Sequence, residues 1–542
     1  MLDKNLRASG YIIKALLALA ICIQLFGCTD KVSTNELIVG IEAEPERFDP
    51  LTMKNPKNFI VSWQIYEGLF TLDKTGKIAP VIADKWETTD SLTWRIHVRD
   101  GVTFHKSEIF GSPAQAREVT AEDVAASYTA FCSSKAYASF ILTDSILGCA
   151  DYNAGKSDSV EGIRVIDNET VEFQIVKPEP FFLNRLTTAW IAIFPKELMD
   201  PKYETTRGLD VAVGTGPYRM LSRTSSEIIL ERNPGYWDEA TRGDVSRLVY
   251  RVISNDEIRL AELNKGGIDL MVVPPILYPA LLNKDGTIKK KYSERFRLHH
   301  YKTLNSHMIG YNDNLIPDVH LRRAMNFATD RKTMVNTLFY GQADITGGTV
   351  PPGLNGYVPP FNVDELFNLE IARKELALSS YAGEPLDMLV HEQAGSEQIG
   401  QLFQSQMQKI GVNIQLTKVD FNTAIGRMIQ GDAPIFSMFL DYVFSTPEAV
   451  LFNIFSSDKR PIPNFWQFSD PGIDSEMEAL RSMSQEERIK KSAYIEKQIM
   501  EQAPANFLYR LNQMVIYSRR FEDIAVNEHG HFEFDQLQIT VE

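Results

Sequence analysis

Short stretches of alternating apolar and polar residues recur along most of the chain, each followed by residues at helical spacing, and that pattern confines the fold to the α/β class. Residues 93–99 set Trp94, Ile96 and Val98 against Arg95, His97 and Arg99, the period-two mark of a strand with one buried face. Val171, Phe173 and Ile175 repeat it, and residues 227–232, 248–253, 269–273, 296–301 and 413–419 also read as extended. Helices fall between them. Thr120 and Asp123 make a cap, Val119 and Val124 a staple across it, and Val124, Tyr128 and Phe131 line one face. A second helix is predicted from Asp318 through Leu321, Ala324 and Ala328 to Leu338, stopped by Gly341. A third covers about residues 397–409, ends at Gly411 and feeds a strand at Asn413; a last long one covers about residues 485–502. Strands and helices interleaved in this way predict α/β lobes with mixed sheets. A chain of 542 residues has room for about three or four domain-sized units. The long helix near the C-terminus, followed by a strand, predicts a return to the first lobe.

The N-terminus reads as an export signal. Lys4, Arg7 and Lys14 are basic, residues 15–23 are almost wholly apolar but too few to span a bilayer, and Leu25-Phe26-Gly27-Cys28 follows at once. These four residues resemble a bacterial lipobox, with Phe26 where a small residue is usual. A Cys there accepts a diacylglycerol, and a further acyl chain on the freed amine gives stable anchoring where one chain gives only marginal binding. The alternatives are an ordinary secretory signal with an incidental Cys, or a retained transmembrane anchor. Each puts the rest of the chain outside the cytoplasm, and no second apolar segment is long enough to cross a membrane. The net charge of −15 argues against nucleic-acid binding, which needs basic patches to displace counterions.

Of four cysteines, Cys22 lies in the leader and Cys28 is the acylation candidate. An oxidising compartment allows a disulfide between Cys132 and Cys149, two buried free thiols being the alternative. Motifs for catalysis and metal binding fail one by one. There is no Gly-x-Ser-x-Gly elbow and no phosphate-cradling Gly-Lys-Ser/Thr loop. His391-Glu392 lacks the second His of a zinc protease, and Gly214-Thr215-Gly216-Pro217-Tyr218 lacks the third Gly of a dinucleotide fingerprint. His299 and His300 are neighbours on a predicted strand and point to opposite faces. Nothing here indicates an enzyme, a resident metal or a cofactor.

A series of motifs does stand out. In order they are Gln64-Ile65-Tyr66-Glu67-Gly68-Leu69, Pro80-Val81-Ile82-Ala83-Asp84-Lys85-Trp86-Glu87, and Trp94-Arg95-Ile96-His97-Val98-Arg99-Asp100-Gly101-Val102-Thr103-Phe104-His105. Then come Thr120-Ala121-Glu122-Asp123-Val124, Gly214-Thr215-Gly216-Pro217-Tyr218, Asn233-Pro234-Gly235-Tyr236-Trp237, and Arg322-Arg323-Ala324 with Ala328-Thr329-Asp330-Arg331. Each alone is weak, but seven in this order resemble the peptide/nickel-type (family 5) extracytoplasmic substrate-binding proteins of ABC importers. The resemblance covers roughly residues 36–525 and is nearest to oligopeptide- and dipeptide-binding lipoproteins. Most of these segments read as scaffold: Asp100-Gly101 is a tight turn, Pro217 and Pro234 punctuate turns, and Trp86, Trp94 and Trp237 read as core.

The resemblance carries a ligand site with it. Residues 435–442 form an apolar run ending in Asp441-Tyr442, with Pro447 beyond, and are similar to the family's strand-to-loop segment before a Pro. By that likeness Asp441 pairs with a peptide's α-ammonium, Tyr442 adjoins it, Glu67, Gly68 and Leu69 flank the peptide on one side, and Ser437, Met438 and Phe439 on the other. The alternative for Asp441 is a loop acid or a helix cap. Ile435 and Met438 stand where some relatives place an arginine and a tryptophan, which leaves a partner for the ligand carboxylate unassigned. The implied fold is the two-lobe periplasmic-binding-protein fold of the large type II, cluster C kind. Lobe I would comprise residues 28–300 plus 512–542, with an inserted subdomain at about 50–163, and lobe II residues 301–511, with the hinge near Tyr301 and Leu511. The implied function is peptide capture by a monomer for ABC permease subunits. The alternatives are another solute (a nickel chelate, haem, an oligosaccharide or a murein peptide), a secreted enzyme, or an adhesin-like scaffold.

Overall fold

A computed structural model of the chain describes residues 35–542 apart from residues 46, 54–58, 74–75, 189, 210, 355, 393–394, 443, 528–529 and 541–542 and the side chains of Thr241 and Asp441. Cys28 and the export signal lie outside the described residues.

Most of the alternating stretches join one twelve-stranded mixed sheet. Its order is Ile414–Lys418, Leu386–Val390, Ile435–Asp441, Asn305–Tyr311, Ala505–Ser518, Leu270–Val272, Glu36–Ile41, Arg247–Val252, Glu227–Arg232 and Tyr218–Arg223. Phe296–Lys302 and Ala343–Ile345 also pair with Ala505–Ser518. That strand has 14 residues, roughly 46 Å of extended chain. Its first part bonds to Asn305–Tyr311 and its second to Phe296–Lys302 and Leu270–Val272, so one strand threads both halves of the sheet. The parallel pairs need helical crossovers. Ser396–Gln408 links Leu386–Val390 to Ile414–Lys418, and Phe421–Gln430 links that strand to Ile435–Asp441.

A separate four-stranded antiparallel sheet holds Ala83–Thr88, Thr93–Val98, Thr170–Gln174 and Ile163–Val165. Trp94, Ile96 and Val98 are buried along with Val171 and Phe173, as the alternation requires. Helix Ala121–Cys132 lies against this sheet, started by a reciprocal Thr120–Asp123 capping box. It ends at Cys132, which is joined to Cys149 with S–S 2.10 Å and both residues fully buried.

Two expectations change. The helix predicted from Asp318 to Leu338 is two helices, Val319–Ala328 and Arg331–Phe339. The Thr329 hydroxyl donates back to Met325 O at 2.8 Å, and the Asp330 carboxylate accepts from Thr333 N at 2.9 Å and starts a new helix. The break points the buried Arg331 guanidinium at Phe507 O, 2.7 Å away, which fastens the pair to the long strand. Of the three tryptophans read as core, only Trp94 is fully so. Trp86 is 40% exposed with its ring edge against Phe70, and Trp237 is half-buried.

Candidate functional site

Strand Ile435–Asp441 is almost continuously apolar because both its faces are covered. It pairs along its whole length with Asn305–Tyr311, from Tyr311↔Ile435 to Asn305↔Asp441. On its other edge Leu386–Val390 reaches only Ile435 and Phe436. The His391 imidazole, held below its usual pKa by burial, then bonds to the Ser437 backbone. From Met438 to Asp441 that edge has no strand neighbour among the described residues. Four residues of open edge span roughly 13 Å. Met438 is buried opposite Met308, Ser437 is buried, and Phe439 is half-buried with its ring 4.6 Å from that of His307. The buried Tyr442 leaves the strand and donates its N–H to Leu304 O at 2.7 Å. Asp441 ends the strand, and its side chain lies outside the described ones. Helix Pro447–Phe455 starts with a cap from Thr446, whose hydroxyl accepts from Ala449 N at 3.4 Å.

The second segment follows the short helix Phe59–Ser62. A Cβ at Gly68 would sit 3.2 Å from Ile191 O and 3.9 Å from Leu186 O, so glycine lets the chain lie close to both. Glu67 O accepts from Ile193 N at 2.8 Å, and Leu69 O from Val81 N and Ala83 N at 3.0 and 3.1 Å. Leu69 is fully buried in the apolar interior. The Glu67 carboxylate accepts from Thr215 Oγ1 (2.7 Å), Tyr236 OH (2.9 Å) and Trp237 Nε1 (3.2 Å). Burial outweighs those three bonds and pushes its pKa up to about 7. Three of the sequence motifs thus meet at one carboxyl. A Cβ at Gly214 would land 2.1 Å from Ile65 O, which is why that motif needs glycine where it crosses the first. The side chains of Glu67 and Leu69, together with Met438, are committed to the interior.

Residues remote in sequence bring the two segments' surroundings together. Asn184 Nδ2 donates to Ser445 Oγ at 2.9 Å, the Arg185 guanidinium lies 5.2 Å over the Phe444 ring, and Phe181 and Phe452 have ring centres 6.0 Å apart. Arg185 is buried and bonds to Glu179 at 2.6 Å and Asp144 at 3.2 Å. Asp144 also receives Lys459; burial opposes its ionisation, but the two cations hold its carboxyl below the usual range. Sequence reading found none of these pairings. Asn184 and Ser445 stand 261 positions apart and Asp144 and Lys459 315, and no local pattern encodes such pairs.

The mixed sheet, the strand threading both halves and the half-paired strand beside them define a two-lobe α/β solute-binding protein. The chain belongs to the bacterial extracellular solute-binding proteins, family 5, whose middle-region model matches residues 77–461. It is 27% identical over 405 residues to the periplasmic oligopeptide-binding protein OppA of Salmonella typhimurium, covering 72% of this chain and 71% of that one. It is 22% identical over 557 residues to the dipeptide-binding protein of Escherichia coli, covering 99% of each. Among solved structures, the periplasmic binding protein DppA from Helicobacter pylori in complex with the peptide STSA superposes with a TM-score of 0.73 at 19% identity, covering 93% of this chain and 98% of that one.

Proposed function

We propose that this protein captures peptides outside the cytoplasm and delivers them to the permease of an ABC importer. One observation carries the reading: the open edge from Met438 to Asp441, on the strand whose continuation meets residues 184–185 at Ser445 and Phe444. A peptide that adds itself to a strand edge gains main-chain hydrogen bonds whatever its side chains, which suits a scavenger of mixed peptides. Asp441, at the end of that edge, pairs with the ligand's α-ammonium and sets its direction, since a charge-assisted bond in a closed cleft is strong. The likeness to oligopeptide- and dipeptide-binding proteins supports peptides as the solute. Lobe I (residues 28–300 plus 512–542, with its insertion) and lobe II (residues 301–511) close on the ligand about the crossings at Tyr301 and Leu511. The pairs Lys302↔Asn512 and Ala343↔Leu511 lie at those crossings. The protein acts as a monomer without catalysis, and the acylated Cys28 holds it to a bacterial membrane.

Mass spectrometry of the ligand that co-purifies with the protein, followed by calorimetry with peptides of two to five residues, tests this. Bound peptides and measurable affinity are expected. Asp441→Ala weakens binding about thirtyfold or more, because the ammonium stays buried without its partner. Unchanged affinity in that variant removes Asp441 from the site; a co-purifying haem, sugar or nickel chelate overturns the peptide reading.

A further inference from the structure

Beside the Glu67–Leu69 backbone runs a row of aromatic rings that the capture of a peptide backbone does not use. Phe140 and Tyr137 have ring centres 6.4 Å apart; Tyr137 and Trp190, 5.2 Å; Trp190 and Phe59, 4.8 Å; Phe59 and Trp63, stacked, 4.8 Å; Trp63 and His531, 5.2 Å. Every spacing falls within the range of favourable stacked or edge-on pairs. Four separate stretches of chain supply these rings, so the row is a product of the fold and not of one amphipathic helix. Its place is set by neighbours already described. Trp190 directly precedes Ile191, whose carbonyl lies against Gly68, and Trp63 stands in the turn that leads to Tyr66. Phe140 stands in the 3-10 turn just before Asp144, which meets Lys459 of the facing segment.

The burial along the row is uneven. Phe59 is buried and anchors the middle, Trp63 and Trp190 are half-buried, and Tyr137 and Phe140 remain 44% and 41% exposed. Large rings held together yet left partly in water give up apolar burial. A ligand ring laid on them recovers that burial and adds another ring-to-ring contact. Apart from the His531 imidazole at one end, the residues of the row are neutral aromatics, so a Lys, Arg, Asp or Glu side chain finds no ionic partner along Phe140, Tyr137, Trp190, Phe59 and Trp63.

We propose that this row is a selectivity wall that takes an aromatic side chain of the bound peptide. The protein then prefers peptides carrying Phe, Tyr or Trp over peptides of equal length carrying Ala or Lys. The inference rests on the peptide reading above and names the class of peptide.

Calorimetry on the full processed protein with Ala-Ala-Ala, the same tripeptide with Phe or Trp at each position in turn, and Ala-Lys-Ala tests it. At least one aromatic tripeptide is expected to bind about tenfold or more tighter than Ala-Ala-Ala, and to shift the tryptophan emission where Ala-Ala-Ala does not. Phe140→Ser, at a partly exposed position, and Trp190→Leu are each expected to reduce that preference by threefold or more while leaving Ala-Ala-Ala affinity within twofold. Equal affinity for aromatic and alanine peptides, or a preference that survives both substitutions in protein with unaltered melting temperature, overturns the selectivity wall alone. Failure of every tripeptide to bind, Ala-Ala-Ala included, overturns the peptide reading beneath it.

Discussion

Glu67 accepts hydrogen bonds from three neutral donors, and no cation is among those partners. Burial lifts its carboxyl from 4.5 to about 7, so over that interval the native protein keeps a proton that the unfolded chain has released. The stability this contributes is complete below about pH 4.5 and is lost as the pH climbs through about 7. Glu67→Gln cannot titrate. The unfolding free energy of the wild type is therefore expected to fall relative to the variant by on the order of 1–3 kcal/mol between pH 4.5 and pH 8. Denaturant titrations of both proteins at several pH values measure the gap, and a constant difference rules out a proton held on the buried carboxyl. The residue's place beside Gly68 was legible in its motif. Its role as the pin joining three motifs was not, because Thr215, Tyr236 and Trp237 come to it from about 150 residues or more away.

Among the elements, strands were legible where one face is buried and the other wet, as in Thr93–Val98, since a period of two survives in the sequence. Ile435–Asp441 was found through its family likeness, because a strand covered on both faces has no alternation to read. The broken helix at Thr329–Asp330 eluded a reading by spacing. The apolar positions Leu321, Ala324 and Ala328 continue smoothly, while the break made by Thr329 and Asp330 is fastened by Arg331 reaching Phe507. The meeting of Asp144 with Lys459 joins elements in the same way. If the lobes close on a peptide, that contact and Arg185 beside it hold the rims together. Lys459→Ala is expected to raise the peptide dissociation rate about three- to tenfold with little change in association, and to blunt the effect of added salt on dissociation. Stopped-flow displacement at low and high ionic strength reads both. Identical dissociation rates would show that the ion pair is no latch.

At the scale of the whole molecule, strand Ala505–Ser518 decides the architecture: it returns the chain from the later half of the sheet to the earlier one and bonds on the way to strands from both. Among the described residues no helix is long and apolar enough to cross a membrane. The lipid attachment proposed at Cys28 has a direct test. Cys28→Ser is expected to move the protein from the membrane pellet to the soluble fraction on cell fractionation; a variant that stays with the membranes argues for a retained N-terminal anchor.

The sequence by itself determined the α/β class, the caps and turns at Thr120, Asp318 and Gly411, and the family, because these depend on residues near one another along the chain or on an order of motifs that folding does not alter. The tertiary structure alone decided that Glu67 is a scaffold pin, that Met438–Asp441 keeps an edge open among the described residues, that Asn184 meets Ser445, and that six rings form a row. Each of those is a contact between distant residues. It is made only when packing has brought separate elements together, and nothing in the local spacing of either partner records it.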